Sequence, residues 1–310
     1  KPRPAARTAR FNGLVWSIGA KKEEHAIPRA AIGSAINFAS MLILLSPAKD
    51  LAQETPTVNA PTRPVLLDHA VPLVEKLKTL SAKKLASLMD LSPKLGELNR
   101  ERYARWATPF TPANARPAVF TFNGEVYRGL EARTLDQDDL RFAQRHLRIL
   151  SGLYGVLRPL DLMQDYRLMM GTPFGLGKAK DLYDYWSDRI TAALNADLKA
   201  MKSDVVINCA SSEYFDAVDV KKLNARVVTP AFKDKLGGSY KPLQTYVKQQ
   251  RGAMARYIIQ HRIVEPERIK GFAENGYRFA AEESTETEYV FLRDERPPLV
   301  TRKLAGGRIR

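Results

Sequence analysis

The segment Val205-Val206-Ile207-Asn208-Cys209-Ala210-Ser211-Ser212-Glu213-Tyr214 begins as an apolar run and turns polar at its end. Open sheets with parallel strands hold ligands just beyond the carboxyl ends of those strands. Asn208, Ser211, Glu213 and Tyr214 are therefore candidates for a small polar pocket, with Lys49, at the end of another apolar run, as a neighbour. Hydrogen bonding within a turn accounts for the asparagine and the serines equally well. A second constellation is Arg158-Pro159-Leu160-Asp161 followed by Tyr166-Arg167. Two arginines, an aspartate and a tyrosine gathered around a turn suit a bidentate phosphate clamp or, equally, a structural ion pair. The third is basic: Lys83, Lys84, Lys94, Arg100, Arg102 and Arg105 crowd into residues 81–105. Helix starts there would leave backbone N–H groups that favour phosphate.

Sharper motifs are missing. Gly171 to Lys178 looks like a phosphate loop, but the spacing is one residue too long and Ala179 replaces the Ser or Thr that would hold magnesium, so a loop without that role is expected. His25, His69, His146 and His261 are scattered with no metal-ligand spacing, so neither a transition-metal site nor a cofactor is expected. No Gly-x-Ser-x-Gly elbow surrounds Ser211 or Ser212. Cys209, the single cysteine, reads as a small buried hydrophobe; one cysteine excludes an internal disulfide and fits a reducing, cytoplasmic compartment.

The elements that must position these groups alternate along the chain. Apolar, β-branched or aromatic runs predict strands at 42–45, 118–122, 153–157, 205–209, 226–232, 277–281 and 288–293. Helical spacing predicts helices at 66–77, 82–89, 93–106, 137–150, 182–199, 246–260 and, weakly, 266–270. In the helix over 137–150, Asp136 is the expected N-cap, Leu140, Ala143, Leu147 and Leu150 the buried face, and Arg141, Arg145 and Arg148 a basic stripe. Residues 81–106 form a helix–hairpin–helix outline. Ser81 and Ser92 cap its helices, Pro93 opens the second, and Leu85, Leu88, Met89, Leu95 and Leu98 face inward. The turn lacks the Gly-x-Gly of DNA-binding versions, so an ordinary helical hairpin stays open. Strict strand–helix alternation is lost near the end, where a hairpin around Ser284–Thr287 favours α+β with a mixed sheet over a doubly wound α/β fold.

The 310 residues carry a formal charge of +15, which suggests a polyanionic partner. The ends hold much of it: residues 1–40 contribute +5 and 293–310 contribute +4, leaving +6 for 41–292. Residues 1–40 read as an N-terminal extension, with a transit peptide as the alternative, and 293–310 as a disordered basic tail. Residues 41–292 read as one domain, and no apolar run is long enough to span a membrane.

At the segments that carry these groups the chain resembles the YaaA peroxide-stress family. The motifs are MLILLSPAK (41–49), LSPKL (91–95), FNGEVYRGL (122–130), SGLYGVLRPLDLM (151–163), YRL (166–168) and NCASSEYF (208–215), in family order. The resemblance implies a cytoplasmic protein that protects DNA during hydrogen peroxide stress and keeps unincorporated iron low. It also implies DNA binding through a positively charged cleft and a helix–hairpin–helix element; no obligate protein partner is expected from the sequence. Met169 departs from the family, which usually has Glu there. The DNA contacts expected on this reading are Lys83, Lys84, Lys94, Arg100, Arg158 and Arg167. The expected pocket comprises Lys49, Asp161, Tyr166, Asn208, Ser211, Glu213 and Tyr214. Two alternatives to binding remain: an enzyme acting on a nucleotide or nucleic acid at that pocket, and direct iron handling by oxygen ligands.

Overall fold

Five consecutive residues, Met41 to Leu45, are all buried, and so are all five of Val205–Cys209. Uninterrupted buried runs of this length, apolar but for Asn208, belong to parallel strands covered on both faces. In the computed structural model, which describes residues 40–296, these two runs lie side by side at the centre of an eight-stranded mixed sheet. The strands in chain order are β1 (Met41–Leu45), β2 (Asp50–Leu51), β3 (Arg116–Pro117), β4 (Phe122–Asn123), β5 (Leu147–Ser151) and β6 (Gly155–Leu157), then β7 (Leu162–Met163), β8 (Val205–Cys209), β9 (Arg226–Leu236), β10 (Ser239–Lys241), β11 (Arg278–Phe279) and β12 (Glu288–Arg293). The sheet order is β11-β12-β9-β8-β1-β5-β6, with β10 folded back on β9. The five strands from β12 to β5 run parallel; β6, β10 and β11 are antiparallel additions. Two small ladders, β2 with β4 and β3 with β7, stand apart. The expected α+β class holds, with a parallel centre and antiparallel margins.

The helices are α1 (Leu67–Lys78), α2 (Ala82–Leu88), α3 (Pro93–Arg105), α4 (Ala118–Thr121), α5 (Glu125–Leu130), α6 (Gln137–His146), α7 (Leu182–Met201), α8 (Ser212–Phe215) and α9 (Gln244–Gln260). Helix α9 packs on β1, β8 and β9, α6 on β1 and β5, and α7 on β1 and β6. A 3₁₀ turn occupies Pro266–Gly271, where a weak helix is expected.

Several expectations need correction. The helix over 137–150 stops at His146, and Leu147–Ser151 is instead strand β5, so Arg148 is no part of a basic stripe. It is 3% exposed, and its Nε donates to Asp197 on α7 at 2.6 Å. The strand expected at 118–122 is mostly the helical turn α4, closed when the Thr121 hydroxyl donates to the Pro117 carbonyl at 2.8 Å. The strand at 153–157 begins only at Gly155, and that at 277–281 shrinks to Arg278–Phe279.

The boundary of the expected tail also moves. Arg293 is the last residue of β12, buried against Asp234, whose Oδ1 accepts from Arg293 Nε at 2.6 Å. The rest of the expected extension, residues 1–39, and of the tail, beyond residue 296, lies outside the described residues.

Candidate functional site

Strand β1 continues in the chain toward β5 on one side, and β8 continues toward β9 on the other. Connections that diverge from two adjacent parallel strands leave a crevice at their carboxyl ends. Here that crevice is a cleft lined by Pro47, Ala48, Lys49, Tyr166, Arg167, Leu168, Met169 and Tyr214. The turns after β1 and β8 are tied together: Ser46 Oγ accepts the Ser211 N–H at 2.8 Å and lies 3.2 Å from Ser211 Oγ. Tyr127 of α5 donates to the Ser46 carbonyl at 3.1 Å. Lys49 is placed by the short β2–β4 ladder that immediately follows it.

The opposite wall is the 166–169 segment, which lies across the end of β5. Gly152 makes that approach possible, since a Cβ there would overlap the Leu168 carbonyl oxygen. The Tyr166 hydroxyl is 2.6 Å from Ser151 Oγ, and Tyr103 of α3 donates to the Arg167 carbonyl at 2.6 Å. Helix α3 is thereby fastened to the cleft wall.

The cleft pairs two cations with neutral hydroxyls. Among the described residues, the Lys49 and Arg167 side chains form no ion pair, and no carboxylate lines the cleft. Burial pushes the phenols of Tyr127, Tyr166 and Tyr214 well above their usual range, so they stay protonated and cannot serve as general bases. Burial likewise pushes the Cys209 thiol up to about 12, which leaves no thiolate for nucleophilic chemistry. Such an arrangement can hold an anion; it offers no evident proton acceptor. Among the described residues, no three His, Cys, Asp or Glu side chains cluster so as to hold a metal ion.

The expected pocket residues divide. Lys49, Tyr166 and Tyr214 line the cleft, and Ser211 sits at its rim through Ser46. Asn208 turns away: its Oδ1 accepts from Ala210 N–H at 3.0 Å, and its Nδ2 lies 3.5 Å from Thr229 Oγ1. Glu213 is occupied, with Oε1 accepting from Gly171 N–H at 3.3 Å. Asp161 is not in the cleft at all. It is fully buried, taking the Thr62 hydroxyl at 2.5 Å and the Arg158 N–H at 2.7 Å. The turn reading of Arg158–Asp161 is the one realised, because β6 runs antiparallel and delivers Arg158 to the amino end of β5. There Arg158 Nη2 lies 3.3 Å from Asp197, away from Arg167. Sequence reasoning missed Ser46 and Tyr127, although both lie inside motifs that it singled out.

Helices α2 and α3 form and pack against each other as a helical hairpin. Ser81 accepts from Lys84 N–H at 3.3 Å and Ser92 from Leu95 N–H at 3.4 Å. Leu85 is fully buried and Leu88 and Met89 partly so, but Leu95 is 37% exposed and does not join the inner face. Lys83, Lys84 and Lys94 are exposed and in no ion pair among the described residues. Arg100 donates to Glu97, whereas Arg102 is turned inward toward Asp165. A larger, shallow groove of about 560 Å³ lies along the 176–179 loop and α7, with Lys178, Asp184 and Arg189 on its walls.

Comparison with known proteins supplies the family. The model of the peroxide stress protein YaaA family matches residues 41–283. A UPF0246 protein of Burkholderia mallei (strain SAVP1) is 53% identical over 256 residues, which cover 82% of this chain and 98% of that relative. One from Burkholderia pseudomallei (strain 668) is 52% identical and one from Burkholderia lata 50%, over the same shares. No helix among the described residues is long and apolar enough to cross a membrane. With 243 matched positions and relatives aligned over nearly their whole length, the chain belongs to the YaaA family of peroxide stress proteins.

Proposed function

We propose that this chain binds DNA through phosphate contacts in the cytoplasm during hydrogen peroxide stress, protecting the DNA and helping to keep unincorporated iron low. Family membership supports the stress role and the link to iron. The observation that carries DNA binding is the α2–α3 hairpin, in which both helix starts are capped and Lys83, Lys84 and Lys94 stand exposed without ion-pair partners among the described residues. Tyr103 ties the far part of the same hairpin to the Arg167 segment, so a strand that crosses α3 comes next to a further free cation. Arg100 contributes from α3, and Arg158 would extend the footprint to the other end of the sheet.

A DNA titration of the full chain across salt concentrations tests the reading. Each phosphate neutralised contributes roughly −0.9 to the log–log salt slope, so Lys83→Ala or Lys94→Ala makes the slope shallower by about one. The loss is similar for unrelated sequences, because phosphate contacts position a protein without reading bases. Arg158→Ala and Arg167→Ala, measured alongside, mark how far the footprint reaches. Slopes that none of these substitutions alters would remove the hairpin from the interface.

A further inference from the structure

The cleft between the carboxyl ends of β1 and β8 is distinct from the exposed face of the hairpin, and its chemistry is more selective. Its free volume of about 10 Å³ is room for about one water, so a ligand can insert only terminal oxygens and must leave its body outside. At the mouth stand Lys49, which is exposed, and Arg167, which is half-buried. The hydroxyls on the cleft walls are engaged, Tyr166 with Ser151 and Tyr214 with the Met170 backbone, so the walls are rigid and neutral. Met169 completes the lining with an apolar side chain. Two uncompensated cations with no opposing carboxylate suit a dianion. A phosphomonoester, with a charge near −1.5 to −2 at neutral pH and three free oxygens, fits this description better than the singly charged diester of a DNA backbone.

We propose that this cleft is a phosphomonoester site in which Lys49 and Arg167 hold the terminal phosphate of a mononucleotide or of a 5′-phosphorylated DNA end. The guanidinium gives the bidentate contact and the ammonium a point charge, as their geometries dictate.

Calorimetric titration of the full chain with dAMP at low salt is the test, with deoxyadenosine as the uncharged control. Saturable binding of dAMP and none of deoxyadenosine is expected. Lys49→Ala and Arg167→Lys each weaken it about tenfold or more, since a charge-assisted hydrogen bond contributes enough for that factor, and Met169→Glu weakens it by setting a carboxylate against the phosphate. Lys49→Ala changes an exposed side chain and Met169→Glu a half-buried one, and melting midpoints equal to the wild type's check that both keep the fold. Lys199→Ala, an exposed lysine at the far end of α7, leaves dAMP binding unchanged. Hairpin duplexes with and without a 5′-phosphate separate the two sources. Tighter binding of the phosphorylated end, lost in Lys49→Ala, assigns the ligand to DNA; equal binding of both duplexes together with dAMP binding assigns it to the free nucleotide. If dAMP fails to bind and the phosphorylated end gives no preference, or if the three variants bind dAMP as the wild type does, the site is refuted. DNA binding with its salt slope would survive that outcome, because it rests on the hairpin lysines.

Discussion

His146 is 5% exposed, with its ring stacked on Phe142 at 4.0 Å and Nδ1 3.0 Å from the Met41 carbonyl oxygen. Burial lowers its pKa below 6.5, and Arg145 and Arg148 act in the same direction against the carbonyl contact. The imidazole is therefore neutral in the fold, whereas the unfolded chain binds a proton near pH 6.5. Below that pH the unfolded state holds the extra proton, so the stability present above about pH 6.5 is lost as pH falls toward the folded value. Unfolding midpoints measured from pH 7.5 to 5.5 should fall for the wild type and fall less steeply for His146→Gln; parallel slopes would refute the assignment. Residue types alone located part of the cleft, because Lys49 and Tyr214 sit in the polar stretches that follow the apolar starts of β1 and β8. They misplaced Asp161 because six residues after Gly155 a chain can point to either end of a sheet, and only the antiparallel pairing of β6 decides.

Helices α5 and α9 meet backbone to backbone. A Cβ on Gly252 would overlap the Val126 carbonyl oxygen, and one on Gly129 the Gln249 carbonyl oxygen. Because the obstruction is backbone rather than a movable side chain, the helices would have to separate. Gly252→Ala is expected to cost about 2–3 kcal/mol, read as a lower denaturant midpoint at unchanged slope. A midpoint within a few tenths of a kcal/mol of wild type would show that the pair yields easily. Such contacts are hidden from the sequence, since a glycine inside a helical pattern reads as a weakness until its partner is known. The junction of α6 and β5 hid for a different reason. Leu140, Ala143, Leu147 and Leu150 fit a helical stripe, and a five-residue buried strand is too short to overrule it. The two-residue ladders were equally unreadable, since Asp50–Leu51 and Phe122–Asn123 are strands only through each other. Long helices with caps, such as α3 and α7, were legible nearly to their ends.

On the scale of the whole molecule, the central parallel strands and the span of the closing strand, Glu288–Arg293, are foreseeable, whereas its parallel pairing with β9 is not. The family match ends at residue 283, yet β12 follows it and lies between β9 and β11 in the sheet. Tyr289, Val290, Phe291 and Leu292 are buried, and Phe291 stacks on Phe232 at 5.4 Å. The last residue of the strand is locked from several sides. Arg293 pairs with Asp234 and donates to the Asn275 carbonyl at 3.2 Å, and its guanidinium lies over the rings of Tyr246 and Tyr277 at 4.5 and 4.2 Å. Tyr277 donates to the other oxygen of Asp234 at 2.9 Å. Removing the arginine strands a fully buried carboxylate, a loss that costs about 3–5 kcal/mol in comparable pairs. Arg293→Ala in the full chain should therefore lower the unfolding free energy by that amount. A chain cut after Glu283 should fail more completely, because it also exposes the β9 edge and the aromatic cluster around Phe232. Thermal melts followed by near-ultraviolet circular dichroism would report both: a lower but cooperative transition for the substitution, and no cooperative transition for the truncation. A truncated chain that melts at the wild-type midpoint would mean that β12 is dispensable and that the folded unit ends where the family match does.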